Sequence, residues 1–189
     1  MTDQEFFTVH HALTINVEQM SDNFIFPSYE SFVSEIPAPF VVASEFSQLD
    51  QLNDAAKLEL KNSDFKHVVQ LLDTQNSKLN LLLTFMLSQQ DEPELRHKTS
   101  VFGASQLTYL TNNAPAVGTK LRIKLFIEHP AAAIYCYATV YSVEEHDAQK
   151  SVTVKYDLLR DTDQDLLIKA ALYQQQKLLR QRSLDRDKT

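Results

Sequence analysis

Apolar residues between positions 47 and 90 recur at the spacing of a helix that packs against other helices. Leu58, Phe65, Leu72, Leu79 and Met86 lie seven residues apart, and a second apolar row follows three or four residues later. Two apolar positions in every seven residues are typical of helices that associate with one another. The range contains no Gly or Pro. We therefore predict a long coiled-coil-type helix over residues 47–91 that drives oligomerisation through Leu58, Phe65, Val68, Leu72, Leu79 and Leu82.

The polar residues at 62–64 leave an alternative open. In that alternative two shorter helices are separated by a break, and Ser63 is the N-cap of the second. A second open question concerns Leu79 and Leu82, which could equally pack on the core of their own chain. Because residues 79–87 are apolar on nearly every side, we expect one face to lie on its own domain and another on a partner chain.

The rest of the chain carries the alternating pattern of strands. Residues 5–17 alternate apolar and polar positions, whereas three prolines make residues 19–46 irregular. Candidate strands lie at 105–110, 120–128, 133–143 and 151–158, with a further short candidate at 97–101. Antiparallel strands at this spacing predict a small barrel or sandwich. A final helix is predicted to begin near residue 161, with Thr162 and Asp165 as a capping box, and residues 185–189 are predicted to be a disordered tail.

Charge and cysteine content narrow the classes of function. The net charge is −7, and residues 1–46 contain no Lys or Arg, while the C-terminal end is basic. Duplex nucleic acid is excluded as a partner because it requires a broad basic face. A single cysteine, Cys136, sits in a candidate strand and is interpreted as a packed core thiol. The absence of a signal peptide, a disulfide pair and a membrane-length apolar run predicts a cytoplasmic protein with no membrane span.

Residues with catalytic or metal-binding spacing are missing from the sequence. The six histidines are scattered, and none has a helical i, i+4 partner or a nearby CxxC pair. A Gly-rich phosphate loop cannot be built from two isolated glycines, and no nucleophile elbow is present. We therefore expect a protein that is not an enzyme, that binds no metal and that requires no cofactor.

The two glycines, Gly103 and Gly118, carry a resemblance to a known family. The run Ser100-Val101-Phe102-Gly103-Ala104, the strand at 107–109, and Val117-Gly118-Thr119 ahead of RIKLFI resemble a PilZ domain. The resemblance covers residues 95–184. It implies an α+β fold in which a six-stranded antiparallel barrel is followed by a closing helix. PilZ domains are mostly receptors for the bacterial second messenger cyclic di-GMP. The heptad helix ahead of the barrel resembles the atypical PilZ proteins, which implies a homotetramer.

The chain departs from the PilZ ligand pattern at several positions. PilZ domains read the dinucleotide with an Arg-x-x-x-Arg loop, but residues 93–97 contain the single arginine Arg96. Lys98 stands where the family has Asp or Asn, and only Ser100 and Gly103 keep the pattern. A missing arginine removes one arm of a bidentate phosphate clamp. The resemblance thus implies, at most, a degenerate cyclic di-GMP site formed by Arg96, His97, Ser100 and Gly103.

Two functions follow from these observations. The first is a non-catalytic oligomeric scaffold that contacts an unidentified protein partner in cyclic di-GMP-linked motility or biofilm formation. The alternative is a receptor in which Arg180 or Arg182 folds back onto the Arg96–Gly103 segment to complete a non-standard site. Tail arginines that point away from this segment would remove support from the receptor.

Overall fold

The computed structural model describes residues 7–60, 64–128 and 131–186, with side chains except at 50, 51, 54, 55 and 182–186. The described strands are β1 (Thr8–His10), β2 (Thr14–Gln19), β3 (Arg96–Gly103), β4 (Gln106–Thr111), β5 (Lys120–Ile127), β6 (Ala132–His146) and β7 (Gln149–Leu158). The described helices are α1 (Tyr29–Glu35), α2 (Ala38–Leu60), α3 (Lys66–Ser88) and α4 (Asp161–Arg186), and a 3-10 turn, Pro93–Leu95, precedes β3.

Six of the strands close into an antiparallel barrel, as the resemblance predicted. The ring runs β3–β2–β5–β6–β7–β4, and β4 pairs back with β3. β1 stays outside the ring and pairs only with the far end of β3, where Thr8 faces Gly103. β2 belongs to the barrel, although it lies outside residues 95–184, the range that the resemblance covers. The predicted strand at 5–17 is interrupted, since the Leu13 amide donates instead to Thr99 Oγ1 at 2.8 Å.

The interior of the barrel is filled by every second residue of its strands. In β5 the inward residues Leu121, Ile123 and Leu125 are fully buried and alternate with half-buried polar positions. α4 closes one end of the barrel with Leu166, Leu167, Ala170 and Ala171.

The beginning of α4 differs from the predicted capping box. Thr162 lies inside the first turn, and the Arg160 carbonyl accepts from the Asp163 and Gln164 amides. The fully buried Asp163 carboxylate accepts two hydrogen bonds from Arg160, at 2.7 and 2.8 Å. Burial raises the pKa of Asp163, although the hydrogen bonds from Arg160 and Ser44 act against the rise.

Residues 132–138 of strand β6 are buried on both faces, which accounts for their nearly unbroken apolar sequence. Its inner residues, including Cys136, belong to the barrel core, so Cys136 is a core thiol whose pKa is raised by burial. Its outer residues Tyr135 and Tyr137 pack with Phe32 of α1, with Phe40 of α2, and with Leu83 and Leu87 of α3. This second core fixes the base of the helices on the barrel.

The segment at 47–91 forms two helices rather than a continuous one. α2 begins at Ala38, because Pro39 is tolerated in a first helical turn. It ends at Leu60, Asp64 and Phe65 lie in a turn, and α3 begins at Lys66. The two-helix alternative is therefore the one that the structure shows, while the predicted N-cap at Ser63 lies outside the described residues. Lys57 Nζ lies 2.6 Å from Asp73 Oδ1, so α2 and α3 form an antiparallel hairpin.

Candidate functional site: the helical hairpin and strand β3

Helix α3 has one stripe of residues that faces its own chain. Leu83 and Leu87 are buried in the outer core against β6. Val69, Asn76 and Asn80 continue this stripe toward the tip of the hairpin and are half-buried. The stripe therefore accounts for the packing of α3 within one chain.

The predicted oligomerisation residues lie on a different stripe of the same helix. Val68, Leu72, Leu79 and Leu82 are 48, 53, 47 and 66% exposed, and they repeat at intervals of three, four and seven residues. Leu79 and Leu82 are therefore not core residues of their own chain. The two remaining predicted residues, Leu58 and Phe65, are also exposed.

A groove between the two helices continues this stripe. Leu72, Gln75 and Leu79 line it from α3, and Ala56 and Leu60 line it from α2, around a volume of about 210 Å³. We call the stripe Val68, Leu72, Gln75, Leu79 and Leu82, together with this groove, the seam surface. It includes four of the six residues at which the heptad spacing predicts contact with other helices.

Exposed apolar side chains are concentrated on the hairpin. Among the described residues, 11 of the 22 exposed large apolar side chains lie between Leu49 and Phe85. Those of the barrel strands are few and separated, as at Tyr141. Among the described residues, a single copy thus leaves more apolar surface uncovered on the hairpin than on the barrel strands.

Arg96, the single arginine of the degenerate ligand loop, is engaged within its own chain. Its Nη2 lies 2.8 Å from Asp91 Oδ2, and its Nε donates to Asp91 Oδ1 at 3.2 Å. Buried Asn16 donates to Asp91 Oδ1 and accepts from the Glu92 amide, both at 2.8 Å. Burial alone would raise the pKa of Asp91, but the hydrogen bonds from Arg96 and Asn16 outweigh it and lower that pKa. These contacts anchor the link between α3 and the barrel.

The other three predicted ligand residues also have structural partners. His97 packs its ring on that of Tyr109, 5.1 Å between centroids; burial lowers the pKa of His97, and a hydrogen bond with the Leu110 backbone partly offsets this. Ser100 Oγ donates to the Thr108 carbonyl at 3.3 Å. A Cβ on Gly103 would lie 2.4 Å from the Phe7 carbonyl oxygen, so Gly103 permits the close approach of the segment that leads into β1.

The four predicted ligand residues do not converge on one point. Arg96 and Gly103 lie at opposite ends of β3, roughly 23 Å apart at the rise of an extended strand. Arg180 does not join them, because its exposed side chain lies beside Tyr173 and Lys177 of its own helix. Gln164 of α4 reaches the Ala104 carbonyl, beyond the Gly103 end of the strand. The Arg182 side chain lies outside the described residues.

A cavity near the base of the hairpin was not predicted. It holds about 380 Å³ between the last turns of α3 and the barrel, and its walls are mostly apolar. Two α3 residues beside it, Leu81 and Phe85, are 71 and 67% exposed. The apolar run at 79–87 signalled exposed positions here, but not which of its faces they occupy. Within the described parts of the chain, no cluster of metal ligands is found and no helix is suited to spanning a bilayer.

Comparison with known proteins identifies the fold. No family model matches the sequence, and no characterised protein matches it at the sequence level. The structure is similar to the Bacillus subtilis inhibitor of motility (MotI/DgrA), at 9% identity and a TM-score of 0.50 over 94% of this chain and 53% of that one. The chain thus spans about half the length of that protein.

A second similar structure is a pathogenic protein from Xanthomonas campestris, described as a tetrameric PilZ domain self-assembled via an unusual helical bundle. The identity is 13% and the TM-score 0.57, over 93% of this chain and 91% of that one. At this identity the similarity concerns the fold. The predicted resemblance to an atypical PilZ domain is confirmed at that level.

Proposed function

We propose that this PilZ-fold chain is a non-catalytic module that assembles through its α2–α3 hairpin into a homotetramer. The assembly acts in the bacterial cytoplasm and presents a surface to a protein partner in cyclic di-GMP-linked signalling, such as the control of motility or biofilm formation. The observation that carries the proposal is the exposure of the seam surface, whose four apolar residues are each about half to two-thirds exposed.

The energy available at this surface favours association. Full burial of one large aliphatic side chain stabilises by roughly 1.5–3 kcal/mol, and each seam residue still has about half or more of that burial to gain. Several such residues from every copy can offset the cost of association, which is roughly 4–15 kcal/mol. Gln75 is a polar residue within the seam, and polar seam positions help to fix register and the number of helices.

The two similar structures support the proposal in different ways. The Xanthomonas protein is a tetramer assembled through a helical bundle, and the present chain has an exposed helical hairpin available for such an assembly. The Bacillus protein inhibits motility, which is one of the processes proposed here.

Binding of cyclic di-GMP at Arg96, His97, Ser100 and Gly103 stays a prediction. The ion pair of Arg96 with Asp91 and the length of β3 do not favour it. Calorimetric titration with the dinucleotide is the direct measurement. Saturable heat that disappears in Arg96→Ala would establish a receptor, whereas an absence of heat would leave the barrel as a scaffold.

Self-assembly is tested by placing two charges on the seam. The chain has a mass of 21.6 kDa, and light scattering on the unaltered protein should give the mass of four chains. Leu72→Asp with Leu79→Asp should lose this mass, because two carboxylates would have to be desolvated at the contact. A control, Gln175→Asp with Gln176→Asp, carries the same two charges on exposed positions of α4 and should keep four chains. A single-chain mass for the unaltered protein would overturn the proposal.

A further inference from the structure

Helix α3 carries a second exposed apolar patch, separate from the seam surface. Leu81 and Phe85 lie one turn apart and are 71 and 67% exposed. At about 100° per residue, their centre lies about 120° around the helix from the centre of the seam. Thr84 and Ser88 share this face, and we call Leu81, Thr84, Phe85 and Ser88 the ring patch.

The cavity at the base of the hairpin opens beside the ring patch. Thr84 and Ser88 line it from α3, and its apolar wall is formed by Leu87, Phe126, Ile127, Ala131 and Ala132. A protein cavity of about 150 Å³ holds a benzene molecule. The 380 Å³ observed here therefore have room for a phenyl ring together with part of a neighbouring leucine. The patch thus presents a protruding ring and a hole of matching size within one helical turn.

The polar groups around the cavity suit an uncharged apolar occupant. Thr84 Oγ1 donates to the Asn80 carbonyl at 2.8 Å, and Ser88 Oγ donates to the Phe85 carbonyl at 2.7 Å. Both hydroxyl donors are thereby satisfied without a partner in the cavity. The charged groups in the lining are the carboxylates of Asp91 and Glu128. They disfavour an anionic ligand such as a nucleotide.

The symmetry of homo-oligomers indicates which molecule occupies the cavity. In a two-fold contact the same patch meets itself, so it must offer both the group that inserts and the site that receives it. The ring patch and its cavity meet this requirement. A single two-fold contact closes a dimer, whereas two different two-fold contacts on one chain close a tetramer when their axes cross at right angles.

We infer that the ring patch is the second self-association contact of this protein. Phe85 and Leu81 of one copy enter the cavity of another copy, and the exchange is reciprocal. The seam surface joins two copies, and the ring patch joins two such pairs. This inference rests on the proposed self-assembly and specifies how two chains become four.

The test removes the side chains of Leu81 and Phe85, or blocks the cavity at the base of the hairpin. Phe85→Ser with Leu81→Ser should give the mass of two chains by light scattering, at concentrations where the unaltered protein has four. Thr84→Trp, which fills the mouth of the cavity and leaves Phe85 in place, should also give two chains. Val117→Ser removes an exposed apolar residue far from the hairpin and should keep four chains. Far-UV circular dichroism reports whether each variant is folded.

The outcomes separate this inference from the proposal on which it rests. Combining the ring-patch and seam substitutions should give single chains. If the unaltered protein is a tetramer and the ring-patch variants remain tetramers, the second contact is wrong while self-assembly stands. A single-chain mass for the ring-patch variants alone would also overturn the inference, because the seam would not then hold two copies independently. A monomeric unaltered protein would overturn both.

Discussion

The barrel and the helical hairpin both carry strongly periodic apolar residues, but a single chain buries those of the barrel interior and leaves the seam residues of the hairpin exposed. In β5, Leu121, Ile123 and Leu125 are fully buried. In α3, Leu72 and Leu79 follow an equally regular pattern and remain about half exposed. A periodic pattern thus shows which face of an element requires cover, but it does not show whether the same chain supplies that cover.

The polar contacts of the two regions differ in the same way. Within the barrel, Thr99 Oγ1 donates to the His11 carbonyl at 2.7 Å and accepts from the Leu13 amide at 2.8 Å. Along the hairpin, Thr74 and Ser77 donate only to carbonyls of their own helix. These barrel hydroxyls thus link distant parts of the chain, whereas these hairpin hydroxyls serve only their own helix.

The largest expected effect comes from breaking the barrel core. Phe102 is fully buried, and Phe102→Ala should lower the free energy of unfolding by about 3–5 kcal/mol because it leaves a cavity. Urea denaturation measures the loss. In dilute protein, Leu82→Ala should change the same quantity by no more than about 0.5 kcal/mol, as for an exposed residue. Equal losses at the two positions would show that the hairpin is as tightly packed as the barrel.

The second effect is a dependence of thermal stability on protein concentration, which should come from the hairpin and not from the barrel. Assembly stabilises the folded state by mass action, by about 2.7 kcal/mol when the partner is at 100 times its Kd. The Tm of the unaltered protein should therefore rise with concentration, as followed by differential scanning calorimetry. In Leu72→Asp with Leu79→Asp the rise should be reduced, while the dilute-limit Tm stays close to that of the unaltered protein. A rise of unchanged size in this variant would place the association elsewhere.

The third effect concerns the close approach of the chain at Gly103. A Cβ would meet the Phe7 carbonyl oxygen at 2.4 Å, so Gly103→Ala should push the segment before β1 away and cost about 1–3 kcal/mol, as overpacking does. Urea denaturation with hydrogen exchange at Thr8–His10 should show the loss localised to β1. Gly118→Ala is the comparison, because Gly118 has open space but a φ of +87°. In Gly118→Ala the hydrogen-exchange protection of β1 should stay unchanged. A loss of this protection in Gly118→Ala would contradict the steric explanation.

Most of the barrel could be predicted from sequence, because each strand signals itself locally by alternation. The alternation at 5–17 predicts a strand but leaves open which sheet it joins, because the neighbours of β2 are far away in the chain. It pairs with β3 and β5, and Asn16 lies opposite both Arg96 and Lys124. Local spacing contains no information on such pairings.

The hairpin shows the opposite limitation. The seam residues Leu72 and Leu79 are exposed, and their role in helix packing stays a prediction. A heptad spacing continues through a turn as readily as through a helix. Phe65 occupies a position of the seven-residue repeat, yet it lies in the turn before α3. The partner of Arg96 is hidden from sequence analysis for a related reason, since Asp91, which accepts from Arg96, also accepts from Asn16 of a distant strand.

The smallest expected effect is a pH dependence at the link between the two regions. The pKa of Asp91 is lowered below its ordinary value of 3.8, because the hydrogen bonds from Arg96 and Asn16 outweigh its burial. A folded-state pKa below the unfolded value gives stability that is present above about pH 4 and is lost as pH falls through the folded pKa. The gain should be under about 1 kcal/mol, because Arg96 is 44% exposed and solvent screens the pair.

Asp91→Asn tests this directly, since the amide oxygen can still accept while the charge is removed. The variant should be less stable than the unaltered protein at about pH 6, and the difference should shrink at about pH 3. Urea denaturation at both values measures it. Glu94→Gln, an exposed carboxylate in the same link, is the control and should show a smaller difference. An Asp91→Asn difference that is constant with pH would mean that Asp91 acts through its shape and hydrogen bonds and not through its charge. The anchor between hairpin and barrel would then be insensitive to acid.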